Sequence, residues 1–84
     1  MKPIRLSGHA RERMEARGAT QDEVAEAIRA APWESAGGAR LECRKNFAYD
    51  RKWNGNVYST KQVRPIFVNE PYEILVVTVY VYYF

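Results

Sequence analysis

The sequence predicts an α+β fold: an N-terminal helical hairpin packed on one face of a three- to four-stranded antiparallel sheet. Three observations carry this. Two capped, amphipathic segments fill residues 8–31. Past Gly37-Gly38 the side-chain period changes from helical to alternating. The stretch Glu73–Phe84 is almost wholly β-branched or aromatic, the composition of a largely buried strand.

Pro3 to Leu6 reads as a short extended lead-in. Ser7 is a good N-cap for a helix over Gly8–Arg17, and Gly18 supplies the left-handed residue that ends it. Ala10 and Met14 share one face of this helix. His9, Arg13 and Arg17 follow one another at i, i+4 and i+8 along a stripe. Thr20-Gln-Asp-Glu23 has the form of a capping box, with the threonine hydroxyl and the Glu23 carboxylate satisfying each other's backbone amides. Val24, Ala27, Ile28 and Ala31 make the buried stripe of the second helix, which Pro32 stops. So short a connection between the two helices implies a tight hairpin.

Trp33 to Ala39 reads as a turn region. Arg40 to Tyr49 alternates, with Leu41, Cys43, Phe47 and Tyr49 on one face and Arg40, Glu42, Arg44 and Asn46 on the other. Asn54-Gly55 is a strong hairpin signal. Val57–Thr60 and Gln62–Val68 read as strands. Pro65 removes a ladder donor, so an edge or a bulge is expected there. Asn69 to Tyr72 makes the last turn. The closing run is too short for a membrane helix, which needs roughly 20 apolar residues. Alternation puts Leu75, Val77, Val79, Val81 and Tyr83 on its core face. Ile74, Val76, Thr78, Tyr80, Tyr82 and Phe84 fall on the other. So apolar a strand belongs inside the sheet, because as an open edge it would invite aggregation.

At 84 residues the chain reads as one domain, 1–84, with a thin core, so a partner or a second copy of the chain is expected to help stabilise it. The net charge of +3 is compatible with nucleic acid without requiring it. One cysteine excludes an internal disulfide, and one Cys with one His argues against a zinc site. No cofactor is expected. The charged N-terminus lacks the apolar core of a secretory signal, so the expected location is cytoplasmic, with no membrane partner.

The uncovered sheet face is the candidate site. If Val63 and Phe67 point to the helices, Arg64 shares the outer face with Thr78 and Tyr80. Lys61 is expected beside Arg64 at the mouth of that strand. Cations over a hydroxyl-rich aromatic strand can hold a phosphodiester and stack a base.

The segment His9-Ala-Arg-Glu-Arg13-Met14-Glu-Ala-Arg17-Gly18, the capped helix after it and the final Val-Val-Thr78-Val-Tyr80 resemble the DUF4258 family. Trp53-Asn-Gly-Asn-Val-Tyr-Ser-Thr-Lys61-Gln-Val-Arg64-Pro-Ile-Phe is similar to a subgroup of it. The resemblance implies a fold akin to RelE-like toxins and related small ribonucleases. It also implies an RNA substrate cut without a metal, and a neutralising antitoxin as partner. The matching positions are His9, Lys61, Arg64 and Tyr80 as catalytic candidates, with Arg13 and Thr78 as substrate-binding ones. In that chemistry a base takes the proton of the 2′-hydroxyl, cations stabilise the phosphorane, and an acid protonates the leaving oxygen. His9 would serve as base or acid, His being the side chain with an unperturbed pKa near neutrality.

Plainer roles stand beside each of these. His9 can be a helix-start residue bonded to backbone, and Arg13 a solvated helix charge. Thr78 is a good strand former. The terminal aromatics can be cross-strand packing or a docking surface. The function is therefore read either as a toxin-like endoribonuclease or as a non-catalytic protein-interaction or RNA-binding module.

Overall fold

The computed structural model describes residues 2–84. Its elements are β1 (Ile4–Leu6), α1 (Gly8–Arg17), α2 (Gln21–Ala30), β2 (Glu34–Gly37), β3 (Arg40–Glu42), β4 (Lys45–Trp53), β5 (Asn56–Asn69) and β6 (Ile74–Tyr83). The strands form one six-stranded sheet in the order β1-β6-β5-β3-β2, with β4 also paired to β5. β1 runs parallel to β6, while the other pairs are antiparallel.

The sheet is larger than the expected three to four antiparallel strands. The lead-in at Ile4 is a true strand because it lies against Ile74–Val76. Residues Glu34–Gly37, expected to be turn, form a strand against β3. Their Glu-Ser-Ala-Gly sequence carries no apolar alternation, so a partner rather than propensity makes the strand. The two expected strands Val57–Thr60 and Gln62–Val68 are one, β5, which is 14 residues long. That length lets β4 pair with its first half and β3 with its last residues.

Pro65 sits in this central strand, and the edge expected there is a local one. Thr60 and Phe84 exchange both backbone hydrogen bonds, so even-numbered residues of β5 turn their amides towards β6. Pro65 turns its ring nitrogen the other way. There β4 has ended its pairing at Val63 and β3 begins only at Ile66, so no ladder bond is lost.

The helix boundaries follow local chemistry. The Ser7 hydroxyl accepts from the Ala10 amide at 3.0 Å, and Gly18 closes α1 with φ 81°. The Thr20–Glu23 capping box is complete, with bonds of 2.9 and 3.1 Å. α1 packs along β6 and α2 along β5. Ala10, Met14, Val24, Ala27 and Ile28 meet Val63, Phe67, Ile74, Val76 and Val79 to form the core.

Along β6 the alternation changes phase. Ile66 stands opposite Thr78 but Phe67 stands opposite Val76, so Val77 is an extra residue. This bulge turns Ile74 and Val76, rather than Leu75 and Val77, into the core. Beyond it the expected faces hold: Val79 is fully buried, while Tyr80 and Tyr82 are exposed. Past β1, the outer edge of β6 is closed from α1. Ser7 bonds the Val76 and Val77 carbonyls, and Arg17 bonds the Val79 carbonyl at 2.8 Å. Among the described residues no helix is long and apolar enough to cross a membrane.

Candidate functional site

The helix-free face of the sheet is ordered in rows. Thr78, Ile66 and Glu42 stand side by side across β6, β5 and β3. Tyr80 and Arg64 form the next row, and Tyr82 and Gln62 the one after. Ala36, Arg40, Glu42, Arg64, Ile66, Thr78 and Tyr80 line a shallow cleft of about 240 Å³. Arg64 and Thr78 therefore look out from the same face, as the register of a bulged antiparallel pair requires.

Arg64 is the hub of this cleft. Glu42 stands opposite Ile66, two residues along β5 and on the same face, so the Arg64 side chain reaches it diagonally. Its Nε and Nη2 donate to the two Glu42 carboxylate oxygens at 3.2 and 2.8 Å. Its Nη1 donates to the Tyr82 hydroxyl at 3.2 Å. Arg44 reaches Glu42 Oε1 from the other side at 3.4 Å. The Arg64 hydrogen bonds hold the Glu42 carboxyl below its ordinary range, outweighing the opposing effect of burial. The same pairing raises the guanidinium of Arg64 above its ordinary value. Glu42 is thus a fixed carboxylate, with its side chain 10% exposed. Glu34 stands opposite it in the register and Arg40 lines the rim, so both signs of charge are present.

Tyr80 is gripped by cations. The guanidinium of Arg17 lies 5.1 Å from its ring centre and that of Arg64 lies 5.4 Å away. Arg17 comes from the end of α1, so the helix contributes a cation to the edge of the cleft. Contacts of this kind are worth about 0.5–2 kcal/mol. Tyr82 and Phe84 continue the row and are 43% and 56% exposed.

Lys61 lies elsewhere, which corrects its expected place beside Arg64. The two stand three positions apart, and an odd spacing in a strand reverses the face. Lys61 is buried on the helix side, opposite Tyr83. Its Nζ donates to the Gly18 carbonyl and to the Glu23 carboxylate, each at 2.9 Å, and lies 5.3 Å from the Tyr49 ring. This lysine ties the helix connection to the sheet. Around it Tyr83 stacks on Trp53 at 4.8 Å and donates its hydroxyl to the Arg17 carbonyl at 2.7 Å.

His9 and Arg13 are exposed on α1, and neither side chain makes a hydrogen bond or ion pair among the described residues. Of the stripe on α1, only Arg17 is seen to reach the cleft. Sequence reasoning missed Glu42 and Tyr82 as members of the site. Alternation had put both on the correct face, but their meeting at Arg64 depends on which strands pair. Among the described residues no cluster of three or more His, Cys, Asp or Glu side chains could hold a metal ion. Compared with protein families, curated proteins and solved structures, the chain matches none.

Proposed function

We propose that the helix-free face binds RNA and cleaves it as a toxin-like, metal-independent endoribonuclease paired with an antitoxin. The observation that carries this reading is Arg64, held in one cleft between the Glu42 carboxylate and the Tyr82 hydroxyl. Those are a proton acceptor, a phosphate-sized cation and a proton donor in one connected set. The resemblance to the DUF4258 family, which implies a fold akin to RelE-like toxins, points to the same reading.

In the proposed reaction Glu42 takes the proton of a ribose 2′-hydroxyl. The freed oxygen attacks the adjacent phosphorus, and the bond from phosphorus to the 5′-oxygen breaks. Tyr82, whose oxygen accepts from Arg64 and whose proton is free, protonates that oxygen. The products are a 2′,3′-cyclic phosphate and a 5′-hydroxyl, and water returns the proton from Glu42 to the tyrosinate. Arg64 stabilises the charge gathered on the phosphorane, with Arg40 at the rim. Thr78 and Tyr80 form the floor against which the phosphodiester rests. His9 and Arg13 are given no step, and Lys61 is structural.

The test is incubation of purified protein with an unstructured RNA and analysis of product ends. Cyclic phosphate and 5′-hydroxyl ends are expected. Glu42→Gln and Arg64→Ala should each lower the rate by about a hundredfold or more. Full activity in both variants, with unfolding curves like that of the parent, would remove the assignment. Induction of the parent protein alone should arrest growth, and the Arg64→Ala variant should not.

A second reading is favoured by the bidentate Glu42–Arg64 bond, which already occupies the best phosphate-holding side chain. In it the face binds RNA or a protein without turnover. RNA affinity that falls steeply with salt, with no product formed, would select that reading.

A further inference from the structure

We infer that the ligand of this face is single-stranded RNA lying along β6, with the nucleotides on the 3′ side of the central phosphate stacked on Tyr82 and Phe84. The inference rests on the RNA reading above and specifies the substrate class and its direction. Tyr80, Tyr82 and Phe84 occupy alternate positions of one strand on the outer face. They are 39%, 43% and 56% exposed, so all three rings offer surface to solvent. Alternate strand residues are separated by about 6.8 Å. That repeat suits one nucleotide of an extended strand per aromatic ring.

The three rings are not equivalent. Tyr80 is flanked by the guanidiniums of Arg17 and Arg64, so it belongs to the phosphate-holding end. For Phe84, no aromatic or cation partner is found among the described residues. Its backbone is fixed by two hydrogen bonds to Thr60, so the ring stands on a rigid platform in open solvent. Charge and stacking surface are thus segregated along one strand. Arg17 and Arg64 lie against the Tyr80 ring, Arg64 touches Tyr82 only at its hydroxyl, and the Phe84 ring beyond has no cation partner among the described residues. A phosphodiester chain with splayed bases complements that order. A duplex does not, because its base faces are already stacked. Direction follows from Tyr82. Its hydroxyl is the proposed donor to the 5′-oxygen that leaves, so the departing 3′ segment must run past Tyr82 towards Phe84.

The experiment uses a 2′-O-methyl hexanucleotide, which cannot be cleaved because the attacking hydroxyl is blocked. Fluorescence anisotropy should show the parent protein binding it more tightly than a duplex of the same length. Phe84→Ala should weaken binding roughly 5- to 100-fold, and Phe84→Trp should restore it. A photoreactive 4-thiouridine at the 3′ end should crosslink to the peptide holding Tyr82 and Phe84, and one at the 5′ end should not. Equal affinity for duplex and single strand, or unchanged affinity in a folded Phe84→Ala variant, would overturn the inference. So would the reverse crosslinking pattern, or binding of a protein partner alone with no RNA affinity. The cleavage reading fails separately. If the hexanucleotide behaves as described but unmodified RNA is never cut, the stacking platform stands without the nuclease.

Discussion

Gly18→Ala tests the joint between the helices and the far β-hairpin. Gly18 has φ 81°, and a methyl group there would stand 2.7 Å from Trp53 Cζ3, 2.7 Å from the Tyr83 hydroxyl and 2.9 Å from Trp53 Cη2. The backbone conformation alone costs about 1–2 kcal/mol for a residue with a side chain. Forcing apart a packed ring adds about 1–3 kcal/mol. Trp53 cannot swing away freely, because its indole is stacked on Tyr83 at 4.8 Å. The expected loss is about 2–5 kcal/mol, a drop in Tm on the order of 10–30 °C for a domain of this size. Gly38→Ala is the matched control: φ is 58°, and nothing lies within 4 Å of the added methyl. It should lose only the conformational part, about 1–2 kcal/mol. Urea unfolding followed by circular dichroism gives both values on one scale. Equal destabilisation of the two variants would show that Trp53 is not seated against Gly18, and the argument for a rigid helix connection would fall with it.

If the proposed RNA cleavage is found, Lys61→Met should retain it within a few-fold, with its effect confined to stability. Methionine fills the space of the lysine stem but leaves the Glu23 carboxylate and the Gly18 carbonyl without the ammonium, so a clear drop in Tm is expected. A loss of activity without a loss of Tm would return Lys61 to the site. Tyr83 is pushed up to about 12 by burial, with the charges of Tyr49 and Glu23 adding to the shift. The folded state therefore holds this proton more tightly than the unfolded chain, where a tyrosine titrates near about 10. That contribution is complete below about pH 10 and is lost as pH rises towards 12, so stability should fall across that window. Tyr83→Phe should flatten the fall, and an unchanged alkaline profile would refute the assignment. Cys43 is 2% exposed, and burial followed by the neighbouring Glu42 charge pushes its thiol up to about 11. It should react with a thiol reagent at pH 8 only at the rate of unfolding, and immediate labelling of native protein would contradict its burial.

Much of the fold was legible where one local cause decided the outcome. Ser7, Gly18 and the Thr20–Glu23 box set the helix ends through bonds within a few residues. Asn54-Gly55 made the hairpin turn, with φ of 49° and 86°. β2 was not legible, since Glu-Ser-Ala-Gly becomes a strand only when β3 lies beside it. Lys61 was misplaced although parity against Val63 already put it on the helix face. The switch of Ile74 and Val76 into the core needed the bulge at Val77, which no residue type announces within Ile74-Leu75-Val76-Val77.

By itself the sequence determined the α+β class, both helices, the hairpin turn and the shared outward face of Arg64, Thr78 and Tyr80. Each of these depends on capping, turn chemistry or the period of two, which act between near neighbours. Tertiary structure alone decided that Glu42 clasps Arg64, that Arg17 reaches Tyr80 from the helix, and that Lys61 supports the helix connection from beneath. Those contacts join residues 22, 63 and 43 positions apart in the chain. Their partners are chosen by which strands pair and in what register, and that choice belongs to the packing of the whole sheet.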